Sequence, residues 1–171
     1  MIIKILGMLL TLAASSGMGF CFAECLIGRE RELKNLVDAI EMMKGELMYS
    51  ASPVRDIVRT VTPRVKGECF RLFSVMTEKL ASGCAPSQAW EYAVKETALS
   101  LSMKQKDAEY ISELGFLMEA YELDEQQNHF EEMKSRISVL CHEASENVSK
   151  NAKLCKMSGI YGGALLCVLM F

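Results

Sequence analysis

Apolar positions gather at the two ends of the chain. Ile5 to Ala23 is a run of 19 residues without a charged side chain, and Met157 to Phe171 is a second run of 15. As helices these would span about 28 Å and about 22 Å at about 1.5 Å per residue, against a hydrocarbon core of about 30 Å. Each has its cationic neighbours on the side facing mid-chain: Arg29, Arg31 and Lys34 after the first, Lys150, Lys153 and Lys156 before the second. Cytoplasmic flanks are enriched in Lys and Arg, so both boundaries place the residues between them in the cytoplasm. The pattern predicts an N-terminal transmembrane helix over 1–23, a cytosolic domain over 24–156 and a C-terminal transmembrane or membrane-interacting segment over 157–171. Two other readings stay open: residues 1–23 as a signal peptide cleaved after Cys21-Phe22-Ala23, and the short final run as a core or interfacial helix.

Between the ends the apolar period is helical throughout. Leu33, Leu36, Val37, Ile40, Met43 and Leu47 recur at three and four, with Arg31, Glu32, Lys34, Asp38, Glu41 and Lys44 on the other faces. No proline separates this stripe from the first apolar run, so one long helix is expected to leave the bilayer and end near Tyr49. Ser52 reads as the N-cap of a short helix opening at Pro53 and closing near Val61. Further helices are expected over Glu68–Leu80, with Phe70, Phe73, Met76 and Leu80 on one face, and from Pro86 through Trp90 and Thr97 to about Leu101. Another runs through Ile111, Leu114 and Met118 to a break at Leu123-Asp124. A last one starts near Asp124, shows Phe130, Met133, Ile137 and Leu140, and leads toward the terminal run. The fold class is all-α: a bundle of about six helices whose first and last members extend into the membrane.

Charge narrows the partners. With Lys4 set aside, 18 basic and 22 acidic side chains remain in the central residues, which disfavours nucleic acid as a ligand. Seven cysteines would signal a disulfide framework in a secreted protein, but three lie in or beside the apolar ends and no Cys-x-x-Cys occurs. They read as reduced, small apolar residues.

Chemistry-bearing motifs are missing: no phosphate loop, no Gly-x-Ser-x-Gly, no His-Glu-x-x-His, no dinucleotide fingerprint. His129 and His142 fall about 140° apart on one helix and cannot share a metal. No catalytic residue, cofactor or metal site is expected. A rival reading makes Cys141 and His142 a membrane-tethered thiol or redox centre; a secreted helical protein, released by signal cleavage, is another.

The informative polar feature is segregation of charge. Asp107 to Met133 holds nine acidic residues and no Lys or Arg, while Arg55, Arg59, Arg64, Lys66 and Arg71 form an earlier basic stretch. The two either face each other within the bundle, or simply keep it soluble as solvated faces, or leave an acidic docking surface for a basic partner. On the docking reading, Glu119, Glu122, Asp124 and Glu125 make the contact. Small residues spaced by four, Ala13 with Gly17, Ser15 with Gly19 and Gly159 with Gly163, fit close packing of membrane helices within one chain or between copies. Glu46 and Tyr49, with Ser52 and Pro53, mark the junction between the first two helices.

These features together resemble the stage III sporulation protein AB family, a distant relative of the inner-membrane platform protein of type II secretion and type IV pilus systems. The resemblance rests on the terminal spans, on Arg31-Glu32-Leu33 through Glu46-Leu47-Met48-Tyr49 into Ser52-Pro53, on Ala89-Trp90, Leu114-Gly115, Asp124 with Gln127, and on the Gly-rich final run. Val54 after Pro53, where the family has Leu, is a departure. The resemblance implies a component of a secretion-like channel complex between mother cell and forespore, in the mother-cell membrane around the forespore. Its cytosolic bundle would serve as adaptor for a secretion-type ATPase, stage III sporulation protein AA, beside other stage III sporulation membrane proteins.

Overall fold

The computed structural model describes residues 2–119, 122–155, 157–158 and 161–162. It is helical throughout, with no strand among the described residues. The helices are α1 (Ile2–Ser50), α2 (Val54–Val61), α3 (Cys69–Ala81), α4 (Pro86–Thr97), α5 (Gln105–Glu113) and α6 (Leu123–Asn147). A 3-10 turn, Thr62–Arg64, follows α2; another, Leu114–Met118, follows α5; and a π-helical turn, Val148–Ala152, follows α6.

The chain divides into two compact units, one of Arg31–His142 and one of Met1–Glu30 with Glu143–Phe171. In the first, the α1 stripe supplies Leu33, Leu36, Ile40 and Met43 to a core completed by Phe73, Trp90 and Phe130, all fully buried. Trp90 and Phe73 meet edge to face with centroids 6.4 Å apart. The outer faces of α1 and α6 are tied by Lys44 to Glu131 at 2.6 Å and by Lys134 to Glu41 at 2.7 Å.

Three details depart from the periodic reading. In α3 the buried face is Cys69, Leu72, Phe73, Met76 and Leu80, whereas Phe70 is 48% exposed. Glu32, assigned to a polar face, is buried in the core. The helix expected to run past Leu117 ends at Glu113 and tightens into 3-10 geometry, because Gly115 must approach α4. A Cβ at Gly115 would lie 2.9 Å from the Ser87 carbonyl oxygen and 3.1 Å from Trp90 Cδ1. The Trp90 indole N–H donates to the Ile111 carbonyl at 2.8 Å where this change begins.

In the unit of the termini, Gly19, Ala23 and Gly28 are buried along α1, and Leu10, Met18, Phe20 and Phe22 are exposed. Only 11% of the apolar window of α1 is buried within the protein, so this surface needs another cover. Among the described residues α1 is a candidate membrane span. Arg29, a flanking charge in the sequence, is 2% exposed and stands 3.9 Å from the Glu143 carboxylate.

Candidate partner-docking groove

The α1–α2 junction is a tight reversal. Ala51 takes a left-handed φ of 49°, its N–H donating back to the Leu47 carbonyl at 2.9 Å, and this ends α1. Pro53 then occupies the N-cap place expected for Ser52; its carbonyl accepts the N–H groups of Asp56 and Ile57, and no side chain caps α2. The Ser52 hydroxyl donates instead to the Ser50 carbonyl at 3.4 Å. Glu46 lies 4.0 Å from Arg64, linking α1 to the turn after α2, while Tyr49 is 91% exposed.

The acidic residues sit where the second 3-10 turn passes into α6. Glu119, Glu122, Asp124 and Glu125 are all exposed. Asp124 and Glu125 occupy the first turn of α6, where a carboxylate is stabilised by the unpaired N–H groups of the helix start. Gln126 is buried and its amide donates to the Leu117 carbonyl at 3.2 Å, pinning the start of α6 to the end of the 3-10 turn. Glu119 accepts a hydrogen bond from the Ser87 hydroxyl of α4.

These two regions meet. A groove of about 900 Å³ is lined by Ser52 and Pro53 on one side and by Glu119 and Glu122 on the other. Leu47, Leu80 and Met118 close its base. A smaller groove of about 500 Å³, lined by Glu91, Glu109 and Glu113 among others, shares Glu119 with it. The basic stretch does not neutralise this surface as a block. Arg59 pairs with Asp56 at 3.3 Å and Arg64 with Glu46, leaving Arg55 on the groove wall.

Of the small residues in the apolar ends, Ala13 and Gly17 are exposed, and a Cβ at Gly17 would meet nothing within 4 Å. Gly159 and Gly163 lie outside the described residues. The inward row is Ser15, Gly19 and Ala23, and a Cβ on Gly162 would come 3.7 Å from the Ser15 hydroxyl.

Periodicity alone missed the roles of Glu32 and Cys69. Helix α3 starts without a capping side chain of its own, and Glu32 on α1 accepts the N–H groups of Glu68 and Cys69. The Cys69 thiol donates to the Glu32 carbonyl at 3.2 Å. Burial, and then the neighbouring Glu32 charge, push that thiol far above its ordinary pKa, so it is protonated and unreactive. The signal in the sequence was Gly67-Glu68-Cys69 opening an apolar run with no Ser, Thr, Asp or Asn to cap it.

The chain is 25% identical over 169 residues to stage III sporulation protein AB of Bacillus subtilis (strain 168), covering 98% of this chain and 99% of that one. A solved structure of stage III sporulation protein AB superposes with a TM-score of 0.62 at 20% identity, over 71% of this chain and 96% of the other, which supports the fold. The family profile described as stage III sporulation protein AB matches residues 4–171, so the chain belongs to the stage III sporulation protein AB family.

Proposed function

We propose that this protein is a non-enzymatic membrane component of the stage III sporulation complex, with residues 24–156 cytoplasmic and their helical bundle acting as adaptor for a secretion-type ATPase. The mother-cell membrane around the forespore is its site, and stage III sporulation protein AA is the ATPase. The observation that carries the reading is the acidic groove joining Ser52 and Pro53 to Glu119 and Glu122. Leu47 lines it too, and belongs to the same helix as the candidate span. A motor held there would act on a helix continuous with the apolar run. Ala13 and Gly17 offer the exposed small face for association with further membrane helices, from another sporulation protein or a second copy.

Two measurements test this. Single cysteines introduced as Ser82→Cys and Ser145→Cys, in a background lacking the native cysteines, are treated with an impermeant thiol reagent in intact sporulating cells. Protection until the mother-cell membrane is permeabilised is expected, and labelling of intact cells places the domain elsewhere. In the second, the combined Glu119→Lys, Glu122→Lys and Glu125→Lys variant is expected to lose the co-purifying ATPase at unchanged helicity. Retention of the ATPase sinks the docking role.

A further inference from the structure

Apolar and charged groups are arranged in the larger groove in a way that constrains what fills it. Its base is Leu47, Leu80 and Met118, each under 5% exposed. Its walls keep apolar surface in water: Leu123 is 52% exposed, and Pro53 and Ala51 are exposed too. Glu119 and Glu122 form an acidic rim facing one lining cation, Arg55, while the third lining carboxylate, Asp56, is paired with Arg59 at 3.3 Å. At about 900 Å³ the space accommodates a few side chains and not a folded domain.

An anionic headgroup, a phosphate or a nucleic acid would meet these carboxylates with like charge and leave the apolar walls uncovered. A basic amphipathic helix satisfies both surfaces at once. Its apolar side chains, at three and four, would cover Leu123 and Pro53, and Lys or Arg on its flanks would face Glu119 and Glu122.

We propose, resting on the adaptor reading above, that this groove receives a basic amphipathic helical segment of a partner protein, laid between Pro53 on the α1–α2 junction and Leu123 at the start of α6. The occupant inserts apolar side chains and sets its cations on the acidic rim. The site is thereby specific for a segment type, and the rest of the partner can lie outside it.

The half-buried Cys84 thiol lines the groove and is a native reporter. The full chain in phosphatidylcholine nanodiscs is treated with N-ethylmaleimide, and alkylation of Cys84 is followed by peptide mass mapping. Two synthetic amphipathic peptides of equal length serve as probes, one built of Leu and Lys, the other of Leu and Glu. The Leu/Lys peptide is expected to slow Cys84 alkylation about threefold or more, and the Leu/Glu peptide to leave it unchanged. In a Glu119→Lys, Glu122→Lys variant the preference should invert. Equal protection by both peptides, or by neither, overturns the proposal.

The ATPase is assayed separately for retention on the same nanodiscs. Retention without peptide protection removes the groove proposal and leaves the adaptor reading standing. Peptide protection without retention does the reverse.

Discussion

The Glu32 carboxylate accepts the backbone N–H of Glu68 at 2.9 Å, so a side chain of α1 caps the start of α3, 36 residues away in sequence. The same oxygen takes the Cys69 N–H at 3.3 Å and the Asn35 amide at 3.2 Å, and the other takes Arg31 at 3.1 Å. A buried carboxylate surrounded by donors is stable; the donors without it are not. Glu32→Ala is expected to destabilise the protein by about 2–4 kcal/mol, and Glu32→Gln, which presents N–H to N–H, by about 1–3 kcal/mol. The shift of the urea midpoint of the full chain in detergent reads this. A change within about 0.5 kcal/mol for both variants would mean that α3 is held by other contacts.

Gly115 presents a different constraint on the same bundle. The atom nearest its missing Cβ belongs to the Ser87 backbone, which cannot swing aside as a flexible side chain would. Gly115→Ala should cost about 1–3 kcal/mol by overpacking, and Trp90→Ala about 3–5 kcal/mol by emptying the core. Since the two residues touch, the double variant should cost less than the sum, by about 0.5 kcal/mol or more. Strict additivity in thermal melts would show that the Ser87 backbone, and not the indole, limits the room at position 115.

Much of this arrangement is legible in the sequence. The long first helix, its stop near Tyr49 and the break at Leu123-Asp124, within a residue of the observed ends at Ser50 and Leu123, follow from apolar spacing and from Pro53, signals that act within a few residues. Phe70 was misplaced because the 3.6-residue period fixes a face only to within one position, and Cys69 is as apolar as its neighbour. Glu32 was missed for a deeper reason. Its burial is set by α3, which lacks a cap, and no local window contains both. The groove was half legible: acidic segregation marked Glu119 and Glu122, and the junction marked Ser52 and Pro53. Only tertiary packing sets the two pairs around one space.

Ala51 holds a backbone conformation that suits glycine better. Its φ of 49° ends α1, and an L side chain with a Cβ costs about 1–2 kcal/mol in that region, less where the turn's hydrogen bond compensates. Ala51→Gly is therefore expected to stabilise the chain by about 0.5–1 kcal/mol, provided the added freedom of the unfolded glycine does not outweigh the gain. A parallel substitution at Gly45, inside α1 with open space at its Cβ, should also stabilise, by about 0.5–1 kcal/mol as Gly45→Ala. Chemical denaturation distinguishes the cases: if Ala51→Gly loses stability while Gly45→Ala gains it, relief of the left-handed backbone is too small to matter.

The α1–α6 ladder gives stability a pH dependence whose sign can be worked out. Glu131 is held below its ordinary pKa by hydrogen bonds from Lys44 and then Lys134. Lys134 is held above its own by hydrogen bonds to Glu41 and then Glu131. A lowered carboxylate pKa adds stability that is complete above the unfolded value of about 4.3 and is lost as pH falls through the folded value. A raised lysine pKa adds stability that is complete below about 10.4 and is lost as pH rises through the folded value. The ladder's contribution should thus be flat across neutrality and fade at both extremes. Glu131 is exposed and Lys134 half-buried, so it should also shrink as salt rises from about 0.05 to about 1 M, where the Debye length falls to about 3 Å. Melting temperatures of the native chain and of Glu131→Gln, followed from pH 3 to pH 11, should differ by a constant amount near neutrality and converge at the acid end. A gap that persists into strong acid would mean that Glu131 supports the helix pair through packing and not through its charge.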